Sequence, residues 1–347
     1  MANNLSDLNE MKKYMGNTYQ VFGTRQYKLV DGNNAGVRAI DVKTGGGLEY
    51  TILPDRGLDI SLASYKGVNL TYLTPQGEVN PAHYNCKDDE WLRTFFGGLM
   101  STCGPDNIGS ECRDGNVDYG LHGRHNVTPA KNVCDLSPYT DSIKVMGQIE
   151  NTVLFGDKIR VTRTIESKLF RNEIRIVDQI TNIGIDAVPM PMLYHINFGY
   201  PLLSETSQII ISSDSVKAQD AYSNDDIEMV NSFGKPDKIS KEKNYFYKMK
   251  NIDGYGYCAI VSKSVGNFGV YIKQRLHELP YMSQWKIEND IDYALALEPC
   301  NTMCLGREQM RKKSMLPLIK PSETVSNEVI IGVFEHNSDT INFENFK

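Results

Sequence analysis

The sequence predicts an all-β protein built mostly from antiparallel strands, with a few short helices. Three observations carry this reading. Apolar and polar residues alternate with period two along much of the 347-residue chain. Turn residues separate the alternating runs at short intervals, and only two stretches carry a helical period. Many short strands with few helices suit a large sandwich or barrel. A composition 40% hydrophobic and 23% charged supplies ample apolar material for a core. No repeat, low-complexity tract or linker is visible. A single domain is expected over 1–347, with 1–20 as an N-terminal helical extension and the core at about 20–335.

In chain order, Leu5, Leu8, Met11 and Met15 recur at helical spacing and predict a helix over 5–15. Leu48, Tyr50 and Ile52 alternate with polar residues and predict a strand, entered through Gly45-Gly46-Gly47. Pro54-Asp55-Arg56-Gly57 then reads as a turn, with Arg56 either paired to Asp55 or donating to a ligand. Leu92, Phe95 and Phe96 predict a second helix over 89–96, ended by Gly97-Gly98. Ile159 and Val161, Ile174 and Ile176, and Val329, Ile331 and Val333 mark further half-buried strands. Asp31-Gly32, Asp114-Gly115 and Gly156-Asp157 are turn signals between such runs. The lysine-rich stretch 235–250 predicts a solvated loop or edge hairpin.

Charge and cysteines narrow the function. A net charge of −6 argues against a nucleic-acid groove or a polybasic membrane patch. Nothing like a signal peptide opens the chain, and no apolar run approaches the ~20 residues of a membrane span. The seven cysteines are odd in number, with no C-x-x-C pair, so neither a disulfide framework nor a zinc ribbon is expected. Scattered thiols suit a reducing cytoplasm.

Three short segments place ionisable side chains in apolar, strand-like settings, where proton affinity is tunable. In Asp292–Glu298, strand phase puts Ala294, Ala296 and Glu298 on one face and Tyr293, Leu295 and Leu297 on the other. A carboxylate ending a stripe of small residues suits a pocket floor; a salt bridge at a strand end is the plainer use. In Met190–Pro201, His195 shares a face with Leu193 and Asn197, so one side chain titrates while the other hydrogen-bonds. A buried histidine satisfied by a carbonyl is the alternative there. His122 sits between Leu121 and Gly123, where backbone and ligand can approach closely, or where a surface turn ends. Arg124, Lys273 and Arg307 are candidates to hold a hydroxyl or an anion, and Trp285 to pack on an apolar ligand face. Two imidazoles and a carboxylate suffice to move protons near neutral pH without a cofactor.

Five segments in order carry a resemblance. Pro54-Asp-Arg-Gly-Leu-Asp59, Phe96-Gly-Gly-Leu-Met-Ser-Thr-Cys-Gly104, Leu121-His-Gly-Arg124, Tyr194-His-Ile-Asn-Phe-Gly-Tyr-Pro201 and Leu297-Glu-Pro299 resemble the DUF4432 branch of the aldose 1-epimerase (galactose mutarotase-like) superfamily. The resemblance implies a β-supersandwich with a sugar cleft across one sheet. It implies a glutamate base at Glu298, a histidine acid at His195 and a second, polarising histidine at His122, with no cofactor and no metal. Leu318-Ile-Lys-Pro-Ser-Glu323 resembles the Lys/Arg-Pro-Gly-Glu turn near the end of mutarotases.

Where mutarotases carry an Asn-Arg-Ile segment, this chain has Cys103-Gly-Pro-Asp-Asn107. A mid-chain substrate aspartate has only Asp214, Asp220 and Asp225 as candidates. Arg124 beside His122 points to an acidic or phosphorylated sugar. The expected partner is a small-molecule sugar or sugar derivative, and a homodimer stays open. A carbohydrate-binding protein without turnover, and a metal-assisted isomerase or lyase using His122, His195 and Glu298, are the competing functions.

Overall fold

A computed structural model describes residues 5–137, 141–266 and 268–335. The first four residues of the expected N-terminal extension lie outside these. Two sheets dominate. The larger, of 11 strands, runs Gly23–Lys28, Arg38–Lys43, Leu48–Leu53, Asp59–Tyr65, Met100–Cys103, Leu193–Phe198, Tyr293–Cys300, Tyr281–Glu288, Lys243–Met249, Ser213–Ala218, with Val68–Asn69 off its path. The smaller, of eight strands, runs Ser207–Ile211, Tyr255–Ser262, Phe268–Arg275, Thr324–Glu335, Glu173–Asn182, Lys158–Lys168, Ser142–Thr152, Lys131–Asp135. Neighbouring strands pair antiparallel, as the short turns between alternating runs require.

The apolar phase of each strand decides which face packs. Ile52, Tyr50, Ile196 and Leu297 of the larger sheet share one core cluster with Val161, Ile176 and Ile331 of the smaller. The interleaved residues point away from this core, which leaves the far face of the larger sheet for a site. There a second cluster of Trp91, Phe95, Cys103, Ile108, Leu193, Cys300 and Met310 covers part of the sheet.

One ionic group crosses between the sheets. Arg163, on the smaller sheet, donates to Asp178 Oδ1 and Oδ2 at 2.8 and 2.7 Å, and to Asp59 Oδ1 at 2.5 Å on the larger. Tyr194 donates its hydroxyl to Asp178 Oδ2 at 2.8 Å, and Thr102 donates to Asp59 Oδ1 at 2.6 Å. All these charges are fully buried, so each needs its partner.

Local expectations shift in three places. The first helix spans Leu5–Lys12 rather than 5–15 and gives way to a turn before Gly16. The 89–96 stretch forms a 3₁₀ helix, Asp88–Arg93, without a side-chain cap. The lysine-rich stretch is a loop only up to Glu242; Lys243–Met249 then pairs on both sides, so it is not an edge. In the late turn, Ser322 takes φ 63°, at the place of the glycine in the mutarotase turn. Among the described residues no helix is long and apolar enough to cross a membrane.

Candidate active site

Glu298 and His195 meet because their strands are neighbours. The antiparallel register pairs Leu193 with Cys300 and Ile196 with Leu297, which sets His195 opposite Glu298 on the face away from the core. Ala294 and Ala296 lie on that same face and are small enough to keep it open. His195 Nε2 stands 2.9 Å from Glu298 Oε1, with only 4% and 2% of the two residues exposed. Burial opposes charge on Glu298, but the His195 charge and hydrogen bond outweigh it, with help from Ser283 across the strand. The carboxyl is held below its ordinary value of 4.5.

Asn197 sets the tautomer of the histidine. Its amide nitrogen donates to three carbonyls: Gly97 and Gly98 at 3.1 Å each, and His195 at 2.9 Å. The amide oxygen therefore faces His195 Nδ1, 2.7 Å away, and Nδ1 carries a proton. Nε2 faces a carboxylate oxygen, so a proton there completes an imidazolium–carboxylate pair.

His122 reaches the same place from a loop. Gly104 N donates to His122 O at 3.0 Å, and His122 N to Gly109 O at 2.9 Å. Asn107 ties the loop further by donating to the carbonyls of Ser110 and Gly120. His122 takes φ 58° and Gly123 φ 73°. A Cβ on Gly123 would fall 2.3 Å from Asp106 Oδ1, so only glycine lets the loop close. Gly109 N–H donates to His122 Nδ1 at 3.3 Å, which leaves the ring proton on Nε2. Burial first, and the nearby His195 charge second, push His122 down to about 3, so it is neutral near pH 7. The ring centres of His122 and His195 are 5.7 Å apart.

These three residues line a cleft of about 760 Å³. Trp91, stacked on Phe95 at 4.5 Å, forms one wall, and Trp285 stands 5.9 Å from His195 on the other side. Trp285 faces Ala296 across the strands, which gives its ring room. Among the described residues no three His, Cys, Asp or Glu side chains are grouped to hold a metal ion.

Other residues read from the sequence as ligand contacts lie elsewhere. Arg56 is fully buried and donates to the carbonyls of Asn126, Val79 and Thr94, so it staples the wall behind Trp91 rather than facing the cleft. Arg307 is held by Asp114 and Asp157 at 2.9 and 3.1 Å. Lys273 lies in the smaller sheet, over the Tyr255 ring at 3.8 Å. Arg124 sits over the Tyr84 ring, outside the lining. Asn197 contacts His195 and backbone rather than open cleft. Asp214, Asp220 and Asp225 do not line the cleft either; Asp220 caps a short helix at Ser223 N. Sequence reading missed Trp91, Tyr72, Glu242 and Asp292 as lining residues. Trp91 was visible within an apolar stretch, whereas nothing local marks Glu242.

The fold recurs in solved structures. A candidate aldose 1-epimerase from Klebsiella pneumoniae subsp. pneumoniae MGH 78578 superposes with a TM-score of 0.85 at 21% identity, over 95% of this chain and 88% of its own. A galactose mutarotase-like protein from Clostridium acetobutylicum gives 0.62 at 15% identity, over 91% and 99%. Galactose 1-epimerase from Lactobacillus acidophilus NCFM gives 0.58 at 13%, over 90% and 99%. The chain is thus an all-β protein of the galactose mutarotase-like supersandwich class. No curated protein matches its sequence. Residues 34–333 match the family described as Domain of unknown function (DUF4432), and the chain belongs to that family.

Proposed function

We propose that the protein is a cofactor-independent mutarotase, interconverting the anomers of a sugar by acid–base ring opening. The observation that carries this reading is the buried His195–Glu298 pair on the cleft floor, an imidazole nitrogen and a carboxylate oxygen 2.9 Å apart. Glu298 takes the proton of the anomeric hydroxyl as the bond between the anomeric carbon and the ring oxygen breaks. His195 Nε2 gives its proton to that ring oxygen, and the anomeric oxygen becomes a carbonyl. Rotation of the open chain and reversal of both transfers close the other anomer and restore the starting pair. Neutral His122 donates a hydrogen bond that polarises the sugar. Each well-placed acid or base typically contributes ~10²–10⁴-fold. A buried pair needs little reorganisation when charge moves. The free cysteines support a reducing, cytoplasmic setting.

NMR exchange spectroscopy over a panel of aldoses, ketoses, uronic acids and sugar phosphates tests the reading. Acceleration of anomer exchange for one class is expected. Glu298→Gln, still folded, is expected to lose roughly 10²-fold or more, because the amide cannot accept the proton. Near-normal turnover in that variant would remove Glu298 as the base. Binding without any acceleration would instead favour a carbohydrate-binding protein.

A further inference from the structure

We propose that the cleft takes an uncharged sugar, and that Glu111, Glu242 and Asp292 around it exclude sugars bearing phosphate, sulfate or carboxylate. The proposal rests on the mutarotase reading and narrows its substrate. Four carboxylates line the cleft, these three and Glu298, and no lysine or arginine does so among the described residues. The cations that sequence reading offered for a ligand are all engaged elsewhere: Arg56 with carbonyls, Arg307 with Asp114 and Asp157, Lys273 and Arg124 over tyrosine rings.

The neutral donors point the same way. Trp285 Nε1 donates to Glu242 Oε2, and Tyr72 donates its hydroxyl to Asp292 Oδ1, each at 2.9 Å. Both bonds orient a carboxylate on the cleft wall and use up the donor. Gln76 spends its amide nitrogen on the carbonyls of Leu92 and Phe95, at 2.6 and 2.8 Å, which leaves its oxygen as an acceptor. The carboxylates and the Gln76 oxygen thus give the cleft acceptors for a sugar's hydroxyls. Sugar hydroxyls donate hydrogen bonds and satisfy such acceptors, whereas an anionic group only accepts and meets like charge instead. Trp91, Phe95 and Trp285 supply apolar faces for the C–H side of a sugar ring. The acidic lining thus reverses the expectation raised by Arg124, because it opposes an acidic or phosphorylated sugar.

The test compares glucose and galactose with their 6-phosphates and uronic acids at low ionic strength. Anomer exchange is followed with the wild-type protein, and binding with folded Glu298→Gln by ligand-observed NMR. The charged forms are expected to be at least ~10-fold poorer in both measurements. Salt should narrow the gap, as should the triple variant Glu111→Gln, Glu242→Gln, Asp292→Asn. Equal or better handling of the charged forms would overturn the proposal. Selective binding of neutral sugars with no exchange would uphold it while removing the mutarotase reading. Absence of binding by either class would overturn both.

Discussion

At the residue scale, the decisive feature is the chain of hydrogen bonds from the Gly97 and Gly98 carbonyls through Asn197 to His195 and Glu298. Asn197 acts on the chemistry by fixing which ring nitrogen exchanges its proton. Nitrogen-15 NMR is expected to show His195 Nδ1 protonated in the wild type. Asn197→Leu, which removes the acceptor, is expected to lower turnover by ~10-fold or more without unfolding the protein, and to scramble that tautomer. The acid limb of the pH–rate profile belongs to Glu298, whose carboxyl is held below its ordinary value, so that limb should lie on the acid side of an ordinary glutamate's. A rate that still climbs between pH 5 and 6 would detach Glu298 from that limb.

At the element scale, strand phase was legible in the sequence. Leu295 and Leu297 enter the core and Glu298 faces the cleft, as alternation required, and His195 and Asn197 share the face read for them. Turn and loop residues were less legible, because their partners are remote in sequence. Pro54-Asp55-Arg56-Gly57 marked a turn correctly, yet only the tertiary structure supplies the three carbonyls that bury Arg56. The His122 loop shows the same dependence. Gly123→Ala meets Asp106 and the Asn107 carbonyl and must leave its positive φ. It is expected to cost more than about 1 kcal/mol in denaturant unfolding, and to reduce turnover further by displacing His122. Unchanged stability and rate would show that the loop tolerates another path.

At the scale of the whole molecule, Arg163 ties the two sheets together through Asp59 and Asp178. Arg163→Met leaves two carboxylates buried without their cation. It is expected to destabilise by about 3–5 kcal/mol, read as a lowered midpoint in urea. We propose that the two sheets form one cooperative unit, so coincident fluorescence and circular-dichroism transitions are expected; two separated transitions would divide the chain.

Acid should lower the stability of the fold through His125. Burial first, then the Arg163 charge, pushes His125 down to about 3. The unfolded chain therefore binds a proton there that the folded chain does not, between about pH 6.5 and 3. Stability falls as pH drops through that window, by about 1.4 kcal/mol per pH unit for this group alone. A melting temperature no lower at pH 5 than at pH 7 would contradict it.

Alternation, turn residues and the order of short motifs determined the all-β class, the inward face of each strand and the three ionisable positions, because these depend on neighbours within a few residues. Only the tertiary structure decided that His195 and Glu298 touch, that Asn197 serves the histidine rather than the ligand, and that four candidate cations stand away from the cleft. Those outcomes depend on which strands lie side by side and on which carbonyls a long side chain can reach. Both are set by packing between segments far apart in the chain, where no local pattern records the partner.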